Sequence, residues 1–393
     1  MIKKIQDLDI ENKKVLIRCD FNVPIKDGKI VDDNRIVASL DTIKYALDRN
    51  CKVILFSHLG RIKEENDLKK NDLRIVSLRL SKLLGKKVIF IDVTRGEKLE
   101  NAINNMNYGD VILVQNTRYE DLNGNKESSN DFSLGAYWSS LGDVFINDAF
   151  GTIHRSHASN VGISTHLESG IGFLVEKELN ALKELDNPKR PYVVILGGAK
   201  VSDKIGVIDN LVNKADYILI GGGMAFTFLK ALGYEIGKSL LDEDKIEYCN
   251  HLINKYHNKI VLPVDVVTSF SIEDDSDINN KKVEDISSND IGLDVGERTI
   301  SLFEGYLKSA SIVVWNGPLG YYEKEEYRKS TLSILKFLAD NGIKTIIGGG
   351  DTAAVVSNDT YLKSKIYHVS TGGGATLEYL EGKKLPGLEV LDK

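Results

Sequence analysis

Short runs of Val, Ile and Leu, each too brief for a buried helix, recur from one end of the chain to the other. In the first half they are Lys14–Cys19, Lys52–Ser57, Val88–Ile91, Val111–Gln115 and Val144–Asn147. In the second half they are Tyr192–Leu196, Tyr217–Ile220, Ile260–Pro263, Ile312–Trp315, Thr345–Ile347 and Ile366–Val369. Polar residues hardly interrupt them, which suits strands covered on both faces, as in a parallel sheet. Helix-like segments lie between. Asn34–Arg49 carries Ile36, Leu40, Ile43 and Leu47 at spacings of four, three and four, which places them on one helix face. Leu73–Leu84, Val175–Leu185, Lys204–Val212, Ala225–Ala231 and Lys329–Asp340 read similarly. Strand and helix in alternation predict βαβ units, and their number predicts two parallel sheets.

The chain has 393 residues, room for about two domains at roughly 100–200 residues each. The boundary is expected near residues 170–190, where a helix over Glu176–Leu185 runs into the breaker Asp186-Asn-Pro-Lys-Arg-Pro191. Ser271–Asp290, rich in Asp, Asn and Ser, reads as a solvated loop. The formal charge is 51 − 57 = −6, which speaks against general nucleic-acid binding. Cys19, Cys51 and Cys249 form neither a disulfide framework nor a CxxC knuckle, as isolated thiols in a reducing cytosol would be. The N-terminus is charged where a signal peptide needs an apolar run, and no stretch approaches the ~20 apolar residues of a membrane span. A cytoplasmic protein is expected.

In open parallel sheets ligands bind outside the carboxyl ends of the strands. The residues just past each run therefore test for a site. The first half gives Asp20-Phe-Asn22, Ser57-His-Leu-Gly-Arg61, Asn116-Thr-Arg118 and Asp148 to Arg155. The second gives Gly197-Gly-Ala-Lys200, Gly221-Gly-Gly223, Asn316-Gly-Pro318, Gly348-Gly-Gly-Asp-Thr352 and Ser370-Thr-Gly-Gly-Gly374. One set is rich in Arg and His, the other in Gly. Arginine's planar fork matches phosphate and carboxylate oxygens. Arg61, Arg118 and Arg155 after strands, with Arg35 opening a helix, predict a site for a small, multiply charged anion. Glycine turns let backbone N–H groups approach phosphates, so four such turns predict a nucleotide laid over strand ends. Lys200 and Lys204, four apart, would share a face if both are helical and could reach different phosphates.

Other patterns fail. Gly233-Tyr-Glu-Ile-Gly237-Lys-Ser239 has three residues between its glycines where a P-loop needs four, and no GxGxxG is present, since Phe226 stands where the third Gly belongs. The missing GxGxxG argues against a dinucleotide-dependent dehydrogenase. His154 and His157 form HxxH without an acidic ligand set.

The segments Arg18-Cys-Asp-Phe-Asn-Val-Pro24, Ser57-His-Leu-Gly-Arg61, Asn147-Asp-Ala-Phe-Gly-Thr152 with His154-Arg-Ser-His157, Gly197-Gly-Ala-Lys-Val-Ser-Asp-Lys204, Val314-Trp-Asn-Gly-Pro318, Gly348-Gly-Gly-Asp351 and Thr371-Gly-Gly-Gly374 together resemble phosphoglycerate kinase, in order and over essentially the full length. The resemblance implies an α/β fold of two Rossmann-like lobes, each a parallel sheet flanked by helices, joined by a hinge helix. It implies a 3-phosphoglycerate domain over 1–172 joined by the C-terminal tail 382–393, a hinge over 173–190, and a nucleotide domain over 191–381. It implies reversible phosphoryl transfer from 1,3-bisphosphoglycerate to ADP, giving 3-phosphoglycerate and ATP, in glycolysis and gluconeogenesis, by a monomer.

Residue by residue, the resemblance implies that Asp20, Phe21, Asn22, Arg35, His58, Leu59, Gly60, Arg61, Arg118 and Arg155 bind the glycerate. It assigns Lys200, Lys204, Gly222, Gly223, Asn316, Glu323, Gly348, Gly349, Gly350, Asp351 and Thr352 to the nucleotide. Asp351 would help place Mg²⁺, which arrives on the nucleotide phosphates. Arg35, Lys204 and Gly373 would act on the phosphoryl group in flight. Two positions depart from the pattern. Ile62 stands where the family usually has Pro, and Gln115 where it usually has Glu. The first is expected to loosen the loop carrying Arg61, the second to alter pairing near the arginines.

Overall fold

The structure, a computed structural model, describes residues 1–273 and 277–392. The chain divides into two compact units. One is Met1–Asn180 with the chain from Lys384 onward; the other is Ala181–Lys383.

The first unit is built on strands β1 (Lys14–Arg18), β4 (Lys52–Phe56), β5 (Val88–Ile91), β6 (Val111–Val114), β7 (Val144–Asn147) and β8 (Glu168–Ile171). Strands β2 (Ile25–Lys26) and β3 (Lys29–Ile30) form a separate small hairpin. The main sheet has the order β5-β6-β4-β1-β7-β8 and is parallel throughout. Its residues alternate between two cores. Val15, Ile17, Val53, Leu55, Leu113 and Ile146 enter one, and Leu16, Ile54, Phe56, Ile112, Val114 and Phe145 the other. Both faces are covered, which is why these strands read as unbroken apolar runs.

Strand β8 was not among the sequence runs. Its Glu168-Ser-Gly-Ile171 sits at the sheet edge, and its first two residues are not buried, so it lacks an apolar signature. The helix expected over Asn34–Arg49 is two helices, Asn34–Ala38 and Leu40–Leu47. Between them the Ser39 hydroxyl donates to the Arg35 carbonyl at 3.3 Å, a local bond that competes with regular helix geometry. Past Lys384 the chain packs on this unit, where the Gly387 N–H donates to the Ile153 carbonyl at 2.9 Å.

The second unit contains β9 (Tyr192–Leu196), β10 (Tyr217–Ile220), β11 (Ile260–Val261), β12 (Asp265–Ser269), β13 (Asn279–Lys282), β14 (Ile291–Val295), β15 (Ile312–Asn316), β16 (Thr345–Gly348) and β17 (His368–Val369). Its parallel sheet runs β11-β10-β9-β15-β16-β17. A second, antiparallel sheet has the order β13-β12-β14. This corrects the solvated loop expected over Ser271–Asp290. Part of that stretch, residues 274–276, lies outside the described residues. The rest holds β13 and a turn of 3₁₀ helix at Val283–Asp285. Strand β13 is Asn-Asn-Lys-Lys, an edge strand held by backbone pairing to β12, so no hydrophobic pattern could mark it. Val283 and Ile286 are buried in a core with Phe226, Leu229, Ile236 and Val266.

Both parallel sheets change direction at an inner strand. Strand β1 has β4 on one side and β7 on the other, and β9 has β10 and β15. The crevices at such switch points lie outside the strand carboxyl ends.

Candidate active site

In the first unit, the loops leaving β1, β4, β6 and β7 carry the polar residues. The Arg35 guanidinium meets the Asp20 carboxylate at 2.6 Å. Phe21 is buried, and its N–H donates to the Ser57 hydroxyl at 2.9 Å. Asn22 accepts the Gly60 N–H at 2.9 Å, and Arg118 donates to the Gly60 carbonyl at 2.5 Å. Asn116 accepts from the Leu59 N–H at 3.2 Å and donates to the Leu59 carbonyl at 2.7 Å. The 58–60 turn is thereby gripped from the ends of β1 and β6. Arg61 leaves it with an exposed side chain.

Like charges crowd here. Burial, then the cations of Arg155 and Arg18, pull Arg118 down to about 10, so it stays charged at neutral pH. Burial, then Arg18 and Arg118, hold His58 well below its ordinary value. His154 is pushed down to about 4 by burial and then Arg155, and His157 to about 3 by burial and then Arg18, Arg118 and Arg155. The histidines are neutral and the arginines charged. Arg118 Nε is buried with no hydrogen-bond partner among the described residues. A cluster of desolvated cations with an unused donor has the chemistry to take an anion.

Arg18 and Glu127 lie outside the residues that the sequence marks for the site. Both are fully buried, 4.0 Å apart, beneath His58 and His157. An arginine closing the apolar run of β1 was a usable signal. Glu127, in a polar stretch, offered none.

In the second unit the strand ends interlock. The Gly197 N–H donates to the Asn316 carbonyl at 3.0 Å, Gly198 to Pro318 at 3.0 Å and Gly222 to Leu319 at 2.8 Å. Gly222 has φ +64°, and a Cβ there would stand 2.6 Å from the Gly198 nitrogen and 2.7 Å from its carbonyl oxygen. Only glycine closes the turn so tightly. Gly349, with φ +86°, caps the helix Gly350–Asn358, and Gly373, with φ +51°, caps Gly374–Leu380. Lys204 Nζ hydrogen-bonds to the Asn316 side chain. Burial lowers the Lys204 pKa, partly offset by Asp203, Asp351 and Glu381. Gly348 and Thr352 are buried, and Gly350 and Asp351 are exposed on the first turn of their helix.

Lys200 and Lys204 are not both helical, so the condition for a shared face is not met. Lys200 is extended and exposed, a 3₁₀ turn over Val201–Asp203 follows, and Lys204 only caps the helix Ile205–Leu211. A cavity of about 410 Å³ opens beside the glycine turns. Gly198, Gly222 and Gly223 line one side, Val266, Ile291 and Leu293 of the antiparallel sheet another, and Glu323 and Asp351 its polar margin. Its size and apolar walls suit a small organic ligand.

The phosphoglycerate kinase family profile matches residues 5–383. The chain belongs to the phosphoglycerate kinase family. A phosphoglycerate kinase of Fusobacterium nucleatum is 56% identical over 396 residues, covering 100% of this chain and 99% of that one. One of Listeria monocytogenes is 56% identical over 394 residues with the same coverage. The solved phosphoglycerate kinase of Coxiella burnetii superposes with a TM-score of 0.89 at 37% identity, covering 100% of this chain and 99% of that chain. That of Pyrococcus horikoshii gives 0.84 at 30%, covering 99% and 98%. Membership makes the chain a phosphotransferase of glycolysis.

The two departures from the phosphoglycerate kinase pattern have visible surroundings. Ile62 is buried. The Gln115 side chain accepts the Leu73 N–H at 3.1 Å, at the start of the helix Arg74–Leu84. Among the described residues no group of three His, Cys, Asp or Glu could hold a metal by itself. Asp351 offers one carboxylate at the cavity. Mg²⁺ commonly takes one or two carboxylates and completes its shell with phosphate oxygens and water, so these residues fit a magnesium carried on a nucleotide.

The depressed histidines yield a direct expectation. With values of about 4 and 3, His154 and His157 stay neutral from about pH 5.5 to 8, where an ordinary histidine titrates. Their ring-proton NMR shifts should be flat over that range. A midpoint near 6.5 for either would contradict the desolvated cluster.

Proposed function

We propose that the arginine cluster of the first unit binds 3-phosphoglycerate or the glycerate end of 1,3-bisphosphoglycerate, and that the cavity of the second binds ADP or ATP. The observation that carries this reading is the division of chemistry: crowded arginines at one set of strand ends, glycine backbone and an apolar cavity at the other. Arg118, with its unused Nε–H, and Arg155 take the remote phosphate. Asp20 and Asn22 orient the glycerate, with His58 and the Leu59–Arg61 turn beside them. Glu323 takes the ribose, and the Gly348–Thr352 turn, Gly222, Gly223, Asn316 and Lys204 the phosphates. Lys200 is left to solvent or to an outer phosphate. Mg²⁺, held by the nucleotide and Asp351, supplies charge neutralisation to phosphate oxygens.

An acyl phosphate is already a reactive donor, so positioning and charge stabilisation suffice. Negative charge spreads over three equatorial oxygens during transfer. Arg35 and Lys204 answer it with cations, and the N–H groups at Gly373 with dipoles. No covalent intermediate on the protein is needed. Because Arg35 and Lys204 belong to different units, transfer requires closure, and the helix Phe173–Lys183, which runs from one unit into the other, is the proposed hinge. Closure also keeps water from the acyl phosphate. The chain is proposed to work as a monomer in the cytoplasm. Each unit has a sheet and core of its own, and among the described residues no helix is long and apolar enough to cross a membrane.

In a coupled assay with 3-phosphoglycerate and MgATP, Arg35→Ala and Lys204→Ala should each lower kcat by about 10²–10³. Arg118→Ala should raise KM for 3-phosphoglycerate and leave that for ATP near its original value. Near-normal kcat in both of the first variants would sink the assignment. Small-angle scattering should show a smaller radius of gyration with both ligands than with either; an unchanged radius would count against the hinge.

A further inference from the structure

Beneath the arginine cluster lies a buried polar chain that leads to His58. Glu127, Ser159 and Arg18 are fully buried and His58 nearly so. Glu127 accepts the Ser159 N–H at 2.9 Å and the Ser159 hydroxyl at 2.5 Å. The same hydroxyl oxygen accepts Arg18 Nε–H at 2.8 Å. Arg18 Nη1 is spent on the Cys19 carbonyl. Arg18 Nη2 lies 3.3 Å from His58 Nδ1 and 4.0 Å from Glu127.

A guanidinium has five N–H donors and no acceptor. Whatever bonds to Arg18 Nη2 must therefore accept. In a neutral imidazole one nitrogen accepts and the other carries the proton. His58 Nδ1 is consequently bare, and the proton sits on Nε2. Burial and the surrounding arginines keep the ring neutral, so the choice of tautomer is real.

We infer that Glu127, Ser159 and Arg18 are positioning residues that hold His58 as its Nε2–H tautomer, presenting a fixed N–H donor for substrate oxygens. Glu127 neutralises a buried cation that would otherwise be costly. Ser159 relays that carboxylate to Nε and sets the plane of the guanidinium. Arg18 then writes the tautomer. His154 supplies a contrast within the same site. There Arg155 Nε–H lies 3.3 Å from His154 Nε2, so the same rule puts its proton on Nδ1. The two rings are opposite tautomers because different nitrogens face a guanidinium.

The inference rests on His58 touching substrate, but its first test does not. Nitrogen-15 NMR of the ring nitrogens in the full chain, without ligand at neutral pH, should show His58 protonated at Nε2 and bare at Nδ1, and His154 the reverse. A His58 proton on Nδ1, or an averaged ring, overturns the inference whatever the enzyme does. The second test is kinetic. Arg18→Lys keeps the charge and loses the fork, and should raise KM for 3-phosphoglycerate several-fold with kcat within about twofold. His58→Gln places an amide nitrogen where Nε2 stood and has no tautomer to fix. In that background Arg18→Lys should leave KM within about twofold. An equal rise in both backgrounds, or none in the first, overturns the positioning role. Should Arg18→Lys not fold, Ser159→Ala removes the relay without touching a charge and should raise the Nδ1–H fraction of His58. A wild-type chain without phosphotransfer would instead fail the functional reading and leave the NMR result standing.

Discussion

Pairing of one inner strand with neighbours on both sides places everything else. Strand β1 is hydrogen-bonded to β4 and β7, and β9 to β10 and β15. Parallel pairing aligns the carboxyl ends of these strands along one edge. The connections must leave that edge in opposite directions, which opens a crevice. Asp20, His58, Asn116 and Asp148 share one edge, and Gly197, Gly221, Gly317 and Gly349 the other. The sheets also hold the loops to a small backbone tolerance, as the absence of room for a Cβ at Gly222 shows.

The two edges then diverge in chemistry. Around Arg118 the protein holds cations out of water and close together. That arrangement is unfavourable alone, and its effects appear as depressed values at Arg118, His58, His154 and His157. A polyanionic ligand bound there, as proposed, would relieve it, and its affinity would draw on repulsion already present in the free protein. Asp20 and Glu127 offset part of the repulsion at Arg35 and Arg18. On the other edge backbone N–H groups replace side-chain charge, and the antiparallel sheet supplies an apolar wall. The two proposed ligands, one small and highly charged and one large and partly aromatic, would call for these two solutions.

The parallel strands were legible because both faces are buried; Val88–Ile91, Val144–Asn147, Tyr192–Leu196 and Tyr217–Ile220 match the sequence reading to the residue. The edge strands β8 and β13, which lack an apolar run, were not. Strands β8 and β13 exist through backbone pairing, which leaves no periodic trace. The Ser39 break was hidden because both half-helices keep the same apolar face. Family resemblance and strand-end position named Arg35, His58, Arg118 and Lys204 as candidates, and the structure shows their local partners. It took coordinates to see that Lys200 is not helical, that Gln115 serves a helix start, and that Arg18 and Glu127 lie under the histidines. These depend on contacts between segments distant in sequence, and no spacing rule encodes them.

The central claim is that each unit is the binding site for one ligand. Backbone-amide NMR of the full chain during titration tests it most directly. Added 3-phosphoglycerate should first move resonances of the Asp20–Arg35, Ser57–Arg61, Asn116–Arg118 and Asp148–Arg155 segments, and MgADP those of Gly197–Lys204, Gly221–Met224, Gly317–Glu323 and Gly348–Thr352. Crossed responses, with 3-phosphoglycerate alone shifting the glycine turns or MgADP alone the arginine loops, would contradict it.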